Sequence, residues 1–122
     1  MRDVEMVAEE PYLEGFLGHL WVEFGLSENT IMAYRSDIRI FQAFLLANDT
    51  DLLQTRDIDL LSYLGSNVKD SSRTIARRLS SLRRFFRYLV REGLVAKDPT
   101  VKVSAPRFGR KLPRSLSQSN VE

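Results

Sequence analysis

The sequence predicts an all-α fold, a four-helix bundle followed by a basic C-terminal linker. Apolar residues recur at spacings of three and four in four separate segments, which is the period of a helix with one buried face. No segment shows the alternation of apolar and polar residues that is typical of a strand. The 122-residue length suits one domain with a single ordinary core.

The first helix is expected to begin at Pro11, because proline fits the first helical turn, and to end at Gly25. Residues 1–9 are mostly polar and are expected to fray. Trp21 lies beside the apolar stripe, and we expect it to be at least partly buried. The residues predicted to form that stripe are Tyr12, Leu13, Phe16, Leu17, Leu20 and Phe24.

The second helix is expected to begin after Ser27, a favourable N-cap, and to end near Asn48. Its predicted core residues are Ile31, Tyr34, Ile38, Phe41 and Leu45. A short third helix is expected after a cap at Thr55. The residues of this helix expected to face inward are Ile58, Leu61 and Leu64.

The fourth helix is expected to be capped by Ser71 or Ser72 and closed by Gly93. Its predicted buried residues are Ile75, Leu79, Leu82, Phe86 and Leu89. A rotation of 100° per residue places the polar residues of its opposite side in one stripe. That stripe consists of Arg73, Arg77, Ser80, Arg84, Arg87 and Arg91.

Charge is divided unevenly along the chain. Residues 1–70 contain 13 acidic and 5 basic residues, a net charge of −8, whereas residues 71–122 contain 3 acidic and 13 basic residues, a net charge of +10. A stripe of arginines with almost no acid favours a polyanion such as DNA over a merely solvated face, which mixes both signs. The alternative interpretation is that the acidic half neutralises the basic half within one fold.

Several classes of function find no support in the sequence. The chain has no cysteine, so it lacks disulfides and a thiolate metal site. Its one histidine, His19, lies in an apolar-patterned helix and is interpreted as structural rather than as a metal ligand. No Walker A, GxGxxG, HExxH or EF-hand spacing occurs, so we expect no metal and no cofactor. No segment has the length of a membrane span, and the acidic N-terminus does not resemble a signal peptide, so we expect a cytoplasmic protein.

Three segments of the sequence resemble a known family. They read LWVEFGLSENTIMAYRSDI, SSRTIARRLSSLRRFFRYLVREGLVAKDPT and SAPRFGRKLPRSLSQSNVE. Together they are similar to the N-terminal part of the bacterial tyrosine recombinases XerC and XerD. The residues of these segments resemble XerD more than XerC. The resemblance implies a SAM-like core-binding domain whose second and fourth helices approach the major groove of double-stranded DNA at a recombination half-site.

Carried over by position, the resemblance implies DNA contacts from two helices. The expected contact residues are Ser27, Asn29, Thr30, Met32, Arg35, Arg73, Thr74, Arg77, Ser80, Ser81 and Arg84. Arg87 is added to the expected contacts because it lies on the arginine stripe of the fourth helix. The family's catalytic residues belong to a C-terminal domain and have no matching position here. The resemblance therefore implies a chain that binds DNA without cutting it, within a parent enzyme that joins partner recombinase subunits and resolves chromosome dimers in the bacterial nucleoid.

The expected domain organisation follows from a change of composition near residue 105. Residues 1–104 are expected to form the helical DNA-binding domain. Residues 105–122 contain proline, lysine and arginine, and we expect a basic interdomain linker followed at Ser117 by the start of an absent catalytic domain. Two alternatives stay open, namely the DNA-binding domain of a phage or transposon integrase and a basic helical protein-interaction module.

Overall fold

The computed structural model describes residues 2–67 and 69–104. Within these ranges the chain contains four α-helices and no strand, which confirms the all-α prediction. The helices are α1 (Arg2–Phe24), α2 (Glu28–Ala47), α3 (Asp57–Ser66) and α4 (Ser72–Arg91), with a short 3-10 helix at Leu52–Gln54 between α2 and α3.

Two serine caps begin the helices that carry the predicted DNA contacts. The Oγ of Ser27 accepts from the backbone N–H of Thr30 at 3.3 Å, and its hydroxyl lies 3.0 Å from the Thr30 hydroxyl. Ser71 and Thr74 repeat this arrangement at the start of α4, with distances of 3.1 and 3.0 Å. Both caps satisfy donors that a helix N-terminus leaves unpaired, so α2 and α4 start where the sequence predicts.

The core lies where α1, α2 and α4 meet, with α3 packed against α2. Phe16 of α1 meets Phe85 of α4 edge to face at 5.2 Å, and Phe41 of α2 meets Tyr63 of α3 at 5.0 Å. All five residues predicted to face inward on α4 are at most 2% exposed. This burial fixes the rotation of α4, so its opposite side is turned to solvent.

The predicted start of the first helix is wrong. Helix α1 begins at Arg2, and Pro11 lies inside it. The carboxylate of Glu9 is buried, where it accepts from the Gln42 side chain at 2.7 Å and from the Leu52 backbone N–H at 2.8 Å. These contacts to α2 and the 3-10 helix hold the turn that precedes the proline, and they offset the roughly 3 kcal/mol that proline costs inside a helix.

The end of α1 also differs from the prediction. Phe24 was expected to lie on the buried stripe but is 52% exposed, and Trp21, expected to be at least partly buried, is 58% exposed. Phe24 instead packs against polar residues, with its ring 5.5 Å from the ring of His19 and 4.6 Å from the guanidinium carbon of Arg84. The apolar stripe of α1 thus extends past the core and ends beside the arginines of α4.

The predicted inner face of the third helix is partly wrong. Ile58 and Leu61 are more than half exposed, and the buried residues are Leu60, Tyr63 and Leu64. The Thr55 hydroxyl lies 2.9 Å from the carbonyl of Leu52 in the 3-10 helix rather than capping α3. The helix begins one residue later than expected, with Arg56 at its N-cap. Its buried face is set by packing against α2, where the Tyr63 ring meets those of Phe41 and Phe44.

The segment that follows α4 folds back on the bundle. Val103 and Thr100 are each 2% exposed, and the guanidinium of Arg83 donates to the carbonyl of Val103. The predicted linker at 105–122, including the expected cap at Ser117, lies outside the described residues.

Candidate nucleic-acid interface

The outer side of α4 presents the predicted arginine stripe to solvent. Arg73, Ser80 and Arg87 are exposed. Arg73 and Arg87 make no hydrogen bond or ion pair within residues 2–67 and 69–104. Two cations near opposite ends of the helix are therefore available to an external anion.

Arg77 is held by an acid of the neighbouring helix. Its Nη1 donates to both carboxylate oxygens of Asp37, at 2.8 and 2.6 Å. Asp37 is 3% exposed, whereas the side chain of Arg77 is 51% exposed. The hydroxyl of Ser81 donates to the same carboxylate at 2.7 Å. Ser81 is itself buried, so it supports this ion pair from inside the bundle rather than lying on the surface.

Arg84 lies against two aromatic rings. Its guanidinium carbon is 4.6 Å from the centre of the Phe24 ring and 5.8 Å from that of Tyr34. Its Nη1 also donates to the Tyr34 hydroxyl at 3.3 Å. Both separations fall within the range of cation–π attraction. The rings fix the position of this cation and keep it half-buried on the stripe.

The first turns of α2 border the same surface. Ser27, Asn29, Thr30 and Met32 are exposed. A cleft of about 210 Å³ separates this part of α2 from α4. The residues that line it are Thr30, Ala33, Tyr34, Asp37, Arg77, Ser80 and Ser81. The fold thus brings predicted contacts from both helices to the two walls of one cleft.

Arg35 is placed apart from this cleft. Its guanidinium donates through two nitrogens to the carboxylate of Glu14 on α1. That hydrogen bond lowers the pKa of Glu14 below its ordinary value and raises the pKa of Arg35. Arg39 donates through Nη2 alone to the carboxylate of Glu10, at 2.7 Å. These arginines of α2 therefore have acidic partners on α1, unlike Arg73 and Arg87.

A second basic cleft of about 260 Å³ lies toward the other end of α4. His19 contributes its Nδ1, which lies 3.2 Å from Nη2 of Arg91. The Tyr88 ring lies 5.3 Å from that of His19, and burial raises the pKa of the tyrosine hydroxyl. The residues that line the cleft are His19, Phe24, Arg84, Arg87, Tyr88 and Arg91.

The sequence did not identify all the residues that shape this surface. Asp37 follows Ser36 and precedes Ile38, so its position on α2 indicates only that it is near the core edge. Phe24 was predicted to be a core residue, and its contact with Arg84 joins helices that are remote in sequence. Neither contact leaves a periodic signal, because each depends on how two helices are rotated against each other.

The described residues include possible metal ligands and buried ionisable groups. Among them, no three histidine, aspartate or glutamate side chains lie together where they could hold a metal ion. Tyr63 is buried, and desolvation raises the pKa of its hydroxyl, which disfavours the phenolate. No helix of the described part has the length and apolar character needed to cross a membrane.

Residues 13–93 match a family described as the phage integrase N-terminal SAM-like domain. Among curated proteins, the chain is similar to the tyrosine recombinase XerD of Pseudomonas putida, with 44% identity over 117 residues. It is also similar to the XerD proteins of Pseudomonas aeruginosa and Rhizobium meliloti, at 41% and 40% identity. The matches cover 90–93% of this chain but only 36–39% of each relative.

Among solved structures, the chain is similar to an integrase from the mycobacterium phage Brujita, with a TM-score of 0.70. The match covers 85% of this chain and 35% of the integrase. Sequence identity is 19%, so this likeness concerns the fold. It agrees with the four-helix SAM-like architecture.

Proposed function

The chain belongs to the family of phage integrase N-terminal SAM-like domains, and from that premise we propose that it binds double-stranded DNA. The proposed contact surface is formed by the first turns of α2 and the outer side of α4. One observation carries the proposal: the α4 stripe exposes Arg73 and Arg87 without an acidic partner within the described ranges. Isolated cations on one face are attracted to a regular array of phosphates.

The position of Arg73 adds a physical argument. It is the second residue of α4, where the helix dipole disfavours a positive charge by about 0.3–1 kcal/mol. No acid among the described residues compensates this cost. A DNA phosphate would compensate it, because backbone N–H groups at a helix start also favour an anion.

The dimensions of α4 suggest how the contacts are divided. The rise from Arg73 to Arg91 is about 27 Å, which exceeds the major groove width of about 12 Å. We therefore place the cleft between Thr30, Arg77 and Ser80 over the base edges, and the ends of the stripe beside phosphates. Ser81 and Arg35 contribute indirectly in this arrangement, since the first is buried and the second is paired with α1.

The rest of the proposal concerns the longer protein. The chain spans about two fifths of the length of its XerD relatives. We propose that residues 1–104 bind DNA without cutting it and that 105–122 lead toward a catalytic part that breaks and rejoins strands without a metal or nucleotide. That protein would act with partner recombinase subunits on the bacterial nucleoid. Resolution of chromosome dimers is favoured over phage integration, because relatives at 36–44% identity are XerD proteins.

The test is fluorescence anisotropy across a salt series. One dye-labelled duplex is selected from a random-sequence library by its affinity for the chain, and the other is a shuffled version. If about five phosphates are neutralised, log K should fall with log[salt] with a slope of about −4 to −5. The selected duplex should bind more tightly than the shuffled one.

A pair of variants localises the contact. Arg87→Ala should make the slope shallower by about 0.9. Arg56→Ala is the matched control, because Arg56 is exposed at the start of α3, away from the stripe, and its removal should leave the slope unchanged. Equal effects of the two variants would contradict the proposed surface. Weak binding without sequence preference would favour a protein-interaction module instead.

A further inference from the structure

The buried carboxylate of Asp37 stands in the wall of the proposed DNA-binding cleft, where an acid should weaken binding to phosphates. Of the described residues that line this cleft, Asp37 alone is acidic. It lies on α2, and both of its oxygens accept hydrogen bonds from residues of α4. An acid beside a DNA surface repels phosphate, so its position calls for a role other than general attraction.

The hydrogen-bond pattern identifies that role. A guanidinium has five N–H donors, and the two oxygens of Asp37 occupy the Nη1 group of Arg77. The Nε and Nη2 donors of Arg77 have no hydrogen-bond acceptor within residues 2–67 and 69–104, and the side chain is half exposed. The donors left free form the edge of a planar fork that matches two adjacent acceptors.

We propose that Asp37 is a positioning residue that determines sequence specificity, because it holds the free Nε–Nη2 edge of Arg77 for two acceptors on one base. The chemistry fits the O6 and N7 atoms of a guanine in the major groove. Ser81 fixes the carboxylate from the interior, so the fork is oriented before DNA binds. This inference rests on the proposed DNA-binding function and adds the residue that converts a cation into a selective contact.

The same carboxylate discriminates against wrong sequences. When no guanine edge faces Arg77, the pair of Asp37 and Arg77 offers DNA little net charge, and the acid opposes close approach of a phosphate. Specificity of this kind comes from a repulsive group that only the correct partner compensates. Neutralising Asp37 should therefore strengthen binding to unrelated DNA and weaken the preference for the selected DNA.

The experiment measures affinity of the full 122-residue chain for the library-selected duplex and for its shuffled version. Asp37→Asn removes the charge with little change of shape, and it should lower the ratio of the two affinities about tenfold, within the range for one bidentate base contact. Affinity for the shuffled duplex should rise. A role limited to stability would instead lower both affinities together.

Asp70→Asn is the matched control. Asp70 precedes α4 and pairs with Arg78 of that helix at 2.8 Å, so this variant also removes one negative charge and releases one α4 arginine. Arg78 lies off the stripe and is only 16% exposed, and the affinity ratio should stay at the wild-type value. A ratio that falls equally in both variants would show that charge alone is responsible, and it would overturn the inference.

A second variant covers the case in which Asp37→Asn does not fold, as judged by a circular-dichroism melt. Arg77→Lys keeps the charge and the pairing with Asp37 but removes the planar fork. It should lower the affinity ratio and leave the salt slope unchanged. A wild-type ratio in this variant, or a loss of affinity that is uniform across sequences, would mean that Arg77 contacts phosphate and would overturn the inference.

The outcomes also distinguish a failure of this inference from a failure of the proposed DNA-binding function. A wild-type chain that binds neither duplex contradicts the proposed function together with the inference. A wild-type chain that prefers the selected duplex, with the same ratio in Asp37→Asn, contradicts the inference alone.

Discussion

Arg84 should contribute to the stability of the fold as well as to DNA binding. Its replacement by alanine should therefore lower the free energy of unfolding more than the same change at Arg87. Its guanidinium lies 4.6 Å from the Phe24 ring, 5.8 Å from the Tyr34 ring and within hydrogen-bond distance of the Tyr34 hydroxyl. A cation–π contact at a partly exposed site contributes about 0.5–1 kcal/mol, and a hydrogen bond contributes a similar amount. Arg84→Ala should therefore lower the free energy of unfolding by about 1–2 kcal/mol.

Arg87→Ala is the matched control for this change, because Arg87 lies one turn further along α4 and has no hydrogen bond or ion pair in the described part of the chain. Its removal should change stability by no more than about 0.5 kcal/mol. Urea unfolding followed by circular dichroism measures both values. Since 1 kcal/mol corresponds to about 4–8 °C in a domain of this size, Arg84→Ala should also melt at least about 4 °C lower.

Arg84→Lys distinguishes packing from charge. Lysine keeps the positive charge, so the salt dependence of DNA binding should stay near the wild-type slope. It lacks the planar guanidinium that stacks on the two rings, so part of the stability should still be lost. If Arg84→Ala proves as stable as Arg87→Ala, the aromatic rings do not hold this cation and the argument fails.

Two further predictions concern α1. A Cβ atom at Gly15 would lie 2.6 Å from the Tyr88 hydroxyl oxygen, whereas one at Gly18 would meet no atom within 4 Å. Gly18→Ala should stabilise the chain by about 1 kcal/mol through helix propensity, while Gly15→Ala should destabilise it by about 1 kcal/mol until Tyr88→Phe removes the clash. Thermal melts test this, and equal stabilisation by both alanines would contradict the close approach. Arg35 lowers the pKa of Glu14, so this carboxylate stabilises the fold above its ordinary pKa of 4.5, and the contribution disappears as pH falls through the lowered value. Urea unfolding over a pH series should show that Glu14→Gln is slightly less stable than the wild type and that this difference shrinks on acidification. The difference is small because the pair of Glu14 and Arg35 is partly exposed to solvent. A difference that persists at low pH would not be electrostatic.

The parts of the fold that the sequence predicts correctly are those with long periodic patterns. The inward residues of α4 and the caps at Ser27 and Ser71 depend on local chemistry, which sequence spacing records. The start of α1 depends instead on a buried hydrogen bond that Gln42 of α2 donates to the carboxylate of Glu9, and that contact outweighs the local signal of Pro11. The buried face of α3 likewise depends on a tertiary contact, the packing of Tyr63 against Phe41 of α2.

The candidate site likewise contains residues that sequence spacing predicts and residues whose partners it does not predict. Rotation along a regular helix places Arg73 and Arg87 on the outer side of α4, so the stripe could be predicted from spacing alone. The partners of Arg77 and Arg84 lie on α2 and α1, and they depend on the rotation and separation of packed helices. Sequence spacing within one helix contains no record of these quantities, so the role of Asp37 emerges only from the fold.

The charge that is unevenly distributed along the sequence is also unevenly distributed over the folded surface, because α2 and α4 form different sets of ion pairs. On the side of α2 that faces α1, Arg35 and Arg39 pair with Glu14 and Glu10, so the acidic half neutralises its own cations. On α4, the described acid that pairs with the stripe from α2 is Asp37, and it occupies only one nitrogen of Arg77. The interpretation that acids cancel bases within one fold therefore holds for Arg35 and Arg39 of α2 but only in part for α4. Arg77, Arg78 and Arg91 have acidic partners, whereas Arg73 and Arg87 have no ion pair within the described part of the chain. The excess positive charge remains on the outer side of α4, where a polyanion can approach it without displacing an existing ion pair at Arg87.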